Sequence, residues 1–117
     1  MFLDEIRNYC LSLRGTEERF PFDEVTLVFT VGNKIFALTD TMACKSINLK
    51  CDPEKAIELR ETYQAVKPGY HMNKKHWNTI DLNSDIQKAD LLALISHSYD
   101  LVFNSLTKKL QHEITTR

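Results

Sequence analysis

Glycine and proline are scarce in this chain, three of each in 117 residues, which excludes a collagen-like or low-complexity disordered polymer. The three cysteines, Cys10, Cys44 and Cys51, are odd in number and form no C-x-x-C pair, so neither a disulfide framework nor a zinc-finger spacing is present. No long apolar run occurs, and the N-terminal segment carries Asp4 and Glu5 where an export signal needs basic residues. The chain therefore reads as cytoplasmic and complete, with reduced thiols and no membrane segment. Glycine-rich phosphate loops are missing too. One further absence is local: between Glu61 and Asp81 there is no carboxylate.

What is present describes an ordinary folded protein. Apolar residues make up 43% and charged residues 26%, enough to close one domain over residues 1–117. A chain of this length buries roughly two-thirds of its unfolded surface. The net charge of −1 excludes a protein that coats nucleic acid indiscriminately, so any such binding must come from a local patch.

Periodicity predicts the elements. Leu3, Ile6, Cys10 and Leu13 recur at helical spacing, with Asp4 and Glu5 in the first turn and Gly15 as the stop. After a polar turn holding Glu17 and Glu18, and then Phe20-Pro21-Phe22, the run Val25 to Val31 has the β-branched and aromatic character of a strand. Gly32-Asn33 signals a two-residue hairpin into Lys34 to Thr39. Ser46 to Cys51 alternates as a third strand with one polar face. Asp52-Pro53-Glu54 opens a second helix that runs to about Tyr63, with Asp as cap and Pro in the first turn. Pro68-Gly69 is a turn between that helix and two strand-like pieces, Tyr70 to Met72 and His76 to Leu82. Asn83-Ser84-Asp85 breaks the chain before the longest helix, whose buried side is Leu91, Leu94, Ile95, Val102 and Leu106. The tail beyond Lys108 is polar and expected to fray. The order α-β-β-β-α-β-β-α, with hairpin-length links, specifies a single-domain α+β sandwich: an antiparallel sheet with helices on one face.

Two blocks in this order resemble the MmcQ/YjbR family of small bacterial proteins: Asn48-Leu49-Lys50-Cys51-Asp52-Pro53-Glu54 and Pro68-Gly69-Tyr70-His71-Met72-Asn73-Lys74-Lys75-His76-Trp77-Asn78. Lys34-Ile35-Phe36-Ala37-Leu38, His97-Ser98-Tyr99 and Lys108-Lys109 fit the same pattern, so the resemblance spans nearly the whole chain. It implies a CyaY-like, double-wing α/β sandwich and DNA binding. Arg14 before Gly15 and Thr107 before the lysine pair depart from the pattern, where proline is expected; both lie outside the basic block.

The acid-free stretch holds Lys67, Tyr70, His71, Asn73, Lys74, Lys75, His76, Trp77, Asn78 and Thr79, including two of the four histidines and the single tryptophan. As a nucleic-acid surface its chemistry divides cleanly. Lys67, Lys74 and Lys75 neutralise phosphates, Asn73, Asn78 and Thr79 offer hydrogen bonds, and Trp77 and Tyr70 stack on exposed bases. Strand parity sharpens the expectation: with Ile80 and Leu82 facing the core, His76 and Asn78 share their side while Trp77, Thr79 and Asp81 point away. The competing account makes Asn73-Lys74-Lys75 a solvated hairpin tip and Trp77 a core residue. A different use of an exposed patch is docking of a protein partner.

Metal and catalytic readings are weaker. His71, His76, Asp81 and His97 could meet only through a hairpin turn, and the dense acidic ridge of iron-handling CyaY-like proteins has no counterpart here. A nucleophile built from Cys44 or Cys51 with His71 lacks a third, orienting group, and His97-Ser98 suits packing and hydrogen bonding better than a triad. The expectation is a cytoplasmic DNA-binding protein without cofactor, metal or enzymatic activity, its bound surface being the hairpin of residues 67–79, extended by Lys108 and Lys109.

Overall fold

The computed structural model describes residues 2–70 and 72–116, the Phe2 side chain excepted. In chain order the elements are α1 (Phe2–Ser12), β1 (Thr16–Arg19), β2 (Thr26–Val31), β3 (Lys34–Asp40), β4 (Ser46–Lys50), α2 (Pro53–Thr62), β5 (Val66–Pro68), β6 (Trp77–Asp81), α3 (Lys88–Ser105) and α4 (Lys108–Thr115). All strand pairs are antiparallel, and the six-stranded sheet runs β1-β2-β3-β4-β6-β5. The expected α+β sandwich is what forms, with two elements added to the expected order, β1 and α4.

One face of the sheet carries the core. Leu27, Phe29 and Val31 of β2, Ala37 of β3, Ile47 and Leu49 of β4 and Ile80 of β6 pack with Ile6 and Cys10 of α1 and with Leu91, Ile95 and Val102 of α3. The hairpin between β2 and β3 turns on Gly32 and Asn33, both at positive φ (57° and 65°), as a type I′ turn requires. At Gly32 a Cβ would sit 2.7 Å from Leu106 Cδ1, so glycine is needed for space as well as for φ.

Simple alternation fails in β3, and the register explains why. Phe29 pairs with Ala37 but Thr30 pairs with Ile35, so Phe36 is the extra residue of a β-bulge. The bulge turns Phe36 to the same side as Ala37, and both are fully buried. Its ring meets Tyr99 edge-on at 5.4 Å and lies 6.5 Å from Phe29.

The tail expected to fray is helical. Thr107 caps α4 by accepting from Leu110 N–H at 3.2 Å, and Ile114 is fully buried beside Gly15. The polar turn at 16–19 is an edge strand whose Glu18 forms an ion pair with Arg7 of α1. His97 and Ser98 of α3 prove to be a hydrogen-bonding pair. Ser98 Oγ donates to Phe36 O at 2.6 Å and accepts from Lys50 N–H at 2.9 Å, while His97 Nε2 accepts from Asp52 N–H at 3.2 Å.

Candidate nucleic-acid interface

Neither Tyr70 nor Met72 belongs to a strand, against the expectation of one from Tyr70 to Met72. The strand of the second hairpin is β5, four residues earlier, and, among the described residues, 69–70 and 72–76 make a wide loop before β6. His71 lies outside the described residues. The loop begins at Gly69, whose N–H donates to Trp77 O at 2.8 Å, and a Cβ there would lie 2.9 Å from Trp77 Cβ. Glycine thus lets the loop start flush against the tryptophan.

Hydrogen bonds within the loop shape it. Asn73 Oδ1 accepts from Lys75 N–H at 2.9 Å and from His76 N–H at 3.3 Å, an Asx turn that spends the side chain on the backbone. Lys74 Nζ donates to Gly69 O at 2.9 Å across the loop. His76 O accepts from Cys51 N–H at 2.7 Å, tying the loop to the end of β4.

The central clamp is Arg60. Helix α2, capped by Asp52 through Lys55 N–H, presents Arg60 in its last turn. Arg60 Nε donates to Asn78 Oδ1 at 2.7 Å, and its terminal nitrogen donates to the carbonyls of Lys74 and Trp77. This corrects the expectation for Asn78. It is only 1% exposed, on the core side of β6 with Ile80, and leaves the candidate interface. Parity placed it on that side; its carboxamide is held by Arg60 rather than offered to a ligand.

The remaining parity expectation holds. Trp77, Thr79 and Asp81 are part-exposed on the face away from the core. In the sheet Trp77 stands opposite Lys50, Thr79 opposite both Asn48 and Lys67, and Asp81 opposite Ser46. Thr79 Oγ1 donates to Asn48 Oδ1 at 2.5 Å and accepts from Tyr70 N–H at 2.9 Å, which fixes where Tyr70 leaves the strand. Tyr70 is 68% exposed, and Lys67, Lys74 and Lys75 are exposed as well. Lys108 and Lys109 begin α4, whose Leu110 and Ile114 pack against the core on the other face, so they do not join this surface.

Sequence reasoning missed Arg60, Lys50, Asn48, Ser46 and Lys45. The polar face of β4 was visible as Ser46, Asn48 and Lys50; what was not visible was its pairing with β6, across a chain crossover through α2 and β5. Lys45 and Ser46 join Lys67, Thr79 and Asp81 around a depression of about 320 Å³ on the open face. A second depression, about 340 Å³, lies between Pro21 and Phe22 and the β2–β3 surface of Val28 and Ile35.

Two of the cysteines, the nucleophile candidate Cys51 and also Cys10, are buried and sit in poor surroundings for reaction. Burial pushes the Cys10 thiol up to about 12 and also raises that of Cys51, disfavouring the thiolate. Among the described residues no three His, Cys, Asp or Glu side chains cluster to hold a metal ion.

Comparison with known proteins places this arrangement among relatives. The family model described as YjbR matches residues 11–101. The chain is 38% identical over 109 residues to the uncharacterized protein YbdF of Escherichia coli O157:H7, covering 92% of this chain and 89% of that protein. It is 28% identical over 110 residues to the uncharacterized protein YjbR of Escherichia coli K12, covering 93% of each. A crystal structure of a Deinococcus radiodurans protein with the DUF419 domain superposes with a TM-score of 0.90 at 41% identity, over 97% of this chain and 87% of that one.

Proposed function

The chain belongs to the YjbR family, and from that premise we propose that it is a DNA-binding protein of the cytoplasm, acting without catalysis, through loop 69–76 and the adjoining open face of β4, β6 and β5. One observation carries this reading: Trp77 lies on the face away from the core, directly opposite Lys50, with exposed Lys67 and Tyr70 beside the same strand. Cations beside an accessible indole and phenol suit a ligand that presents phosphates and π-faces together. The loop is held by Arg60 and Asn73, so its contacts are set before the ligand arrives, which lowers the ordering cost of binding. Among the described residues no helix is long and apolar enough to cross a membrane.

A protein-docking role for the same patch is the second reading, favoured by the 68% exposure of Tyr70. The two separate on charge. Lys74→Glu with Lys75→Glu should abolish salt-sensitive retention on DNA while the fold, read by circular dichroism and thermal melting, stays intact. A partner held mainly by apolar contact with Tyr70 and Trp77 would survive the same change. If the wild-type protein is not retained on DNA at ~50 mM salt, where phosphate contacts are strongest, the DNA-binding reading is wrong.

A further inference from the structure

The depression at the Asp81 end of β6 has a composition that plain phosphate binding does not explain. Two lysines, Lys45 and Lys67, line it together with the hydroxyls of Ser46 and Thr79, yet a carboxylate, Asp81, stands on the same wall. Sheet register makes this placement firm: Ser46 faces Asp81 across β4 and β6, and Lys67 faces Thr79 across β5 and β6. A carboxylate costs affinity for a phosphate backbone, so a surface that only followed phosphates would do better without it.

We propose that this depression seats one nucleotide of a single strand, with its phosphate against Lys45 and Lys67 and its base edge against Asp81, and that Asp81 selects guanine. The proposal rests on the DNA-binding reading above. At about 320 Å³ the space lies at the low end of the range for small-ligand sites, which suits one splayed nucleotide. A duplex keeps its base-pairing edges inside, whereas a single strand can turn a base outward. A carboxylate accepts and does not donate. Guanine offers it two adjacent donors, N1–H and the 2-amino group. Cytosine and adenine offer one amino group, and thymine offers a single N–H flanked by two carbonyls that repel the carboxylate. Asn83 N–H already donates to Asp81 Oδ1 at 2.9 Å, which orients the carboxylate at the rim.

The experiment measures binding of the full chain to short thymidine oligonucleotides with and without one central guanine, by fluorescence anisotropy at ~50 mM salt. Wild type should favour the guanine-bearing strand by roughly five- to a hundredfold, the range of a good bidentate base contact. Asp81→Asn keeps an acceptor for Asn83 N–H. It should erase that preference and bind the all-thymidine strand more tightly, because a repelling charge is gone. Lys67→Met should weaken both strands alike. Equal binding of the two strands by wild type, or a preference that survives in Asp81→Asn, overturns the guanine proposal and leaves DNA binding standing. Failure to bind either strand or duplex overturns the DNA-binding reading and this proposal with it.

Discussion

At the scale of single residues, two side chains join the second helix to the rest of the molecule. Arg60 at its end holds the loop before Trp77, and His97 of α3 holds its beginning through Asp52 N–H. The histidine bond has a protonation requirement: Nε2 can accept only while it carries no proton. Burial lowers the His97 pKa, Lys55 lowers it further, and Asp52 and Asp100 oppose the shift. With the folded value below the unfolded one of about 6.5, neutral His97 contributes stability above that pH, and the contribution is lost as pH falls through the folded value. Urea midpoints of wild type should therefore drop more between neutral and mildly acidic pH than those of His97→Gln. Parallel curves for the two proteins would dismiss the linkage. Of these roles, only that of His97-Ser98 in hydrogen bonding was readable from sequence. Arg60 looked like any charge on a helix surface, because its partners Asn78 and Lys74 lie beyond the helix and a strand.

At the scale of elements, what was legible is what alternates or carries a distinctive turn. Gly32-Asn33 and Asp52-Pro53 each wrote a backbone conformation into residue type, and both were found where expected. The strand β1 was not legible, since Thr-Glu-Glu-Arg on a sheet edge buries too little to show a pattern; its charges instead guard the edge against pairing with other chains. The helix α4 hid because only Leu110 and Ile114 face the core, one turn apart, although Thr107 supplied a cap. The bulge in β3 was hidden for another reason: an extra residue leaves no mark on hydropathy. Its energetic weight can be measured. Phe36→Ala empties a fully buried site between Phe29 and Tyr99 and should cost about 3–5 kcal/mol of unfolding free energy in denaturant titration. A loss below about 1 kcal/mol would mean the bulge closes over the space and the ring contributes little.

Taken whole, the molecule divides its chemistry between two faces of one sheet. The helices and the main apolar core occupy one face, and Lys50, Lys67, Trp77 and Asp81 stand on the other. Net charge of −1 conceals this, which is why composition alone left only a local patch for nucleic acid. Three lysines of the acid-free stretch predict a slope of about −2.7 in log affinity against log salt on duplex DNA, and adding Lys45 and Lys50 steepens it to about −4.5. A titration from ~50 to ~200 mM salt decides between these, and a slope near zero would mean that no phosphate is engaged. The stretch was visible as a lack of acids; the cations that extend it were not, because they come from a strand that precedes it by a whole helix.

The seat of α4 bears on how the chain acquires its shape. Ile114 packs on Gly15, and Arg14 donates to the carbonyl of Thr115 at a sequence separation of 101 residues. Such a contact closes a loop nearly as long as the polypeptide, so it cannot help to start folding and must come late. On the ribosome the sheet and its first helices can assemble while this last seam stays open, with the place of Ile114 still wet. Completion of the native state thus waits on the docking of α4 against the turn at Gly15.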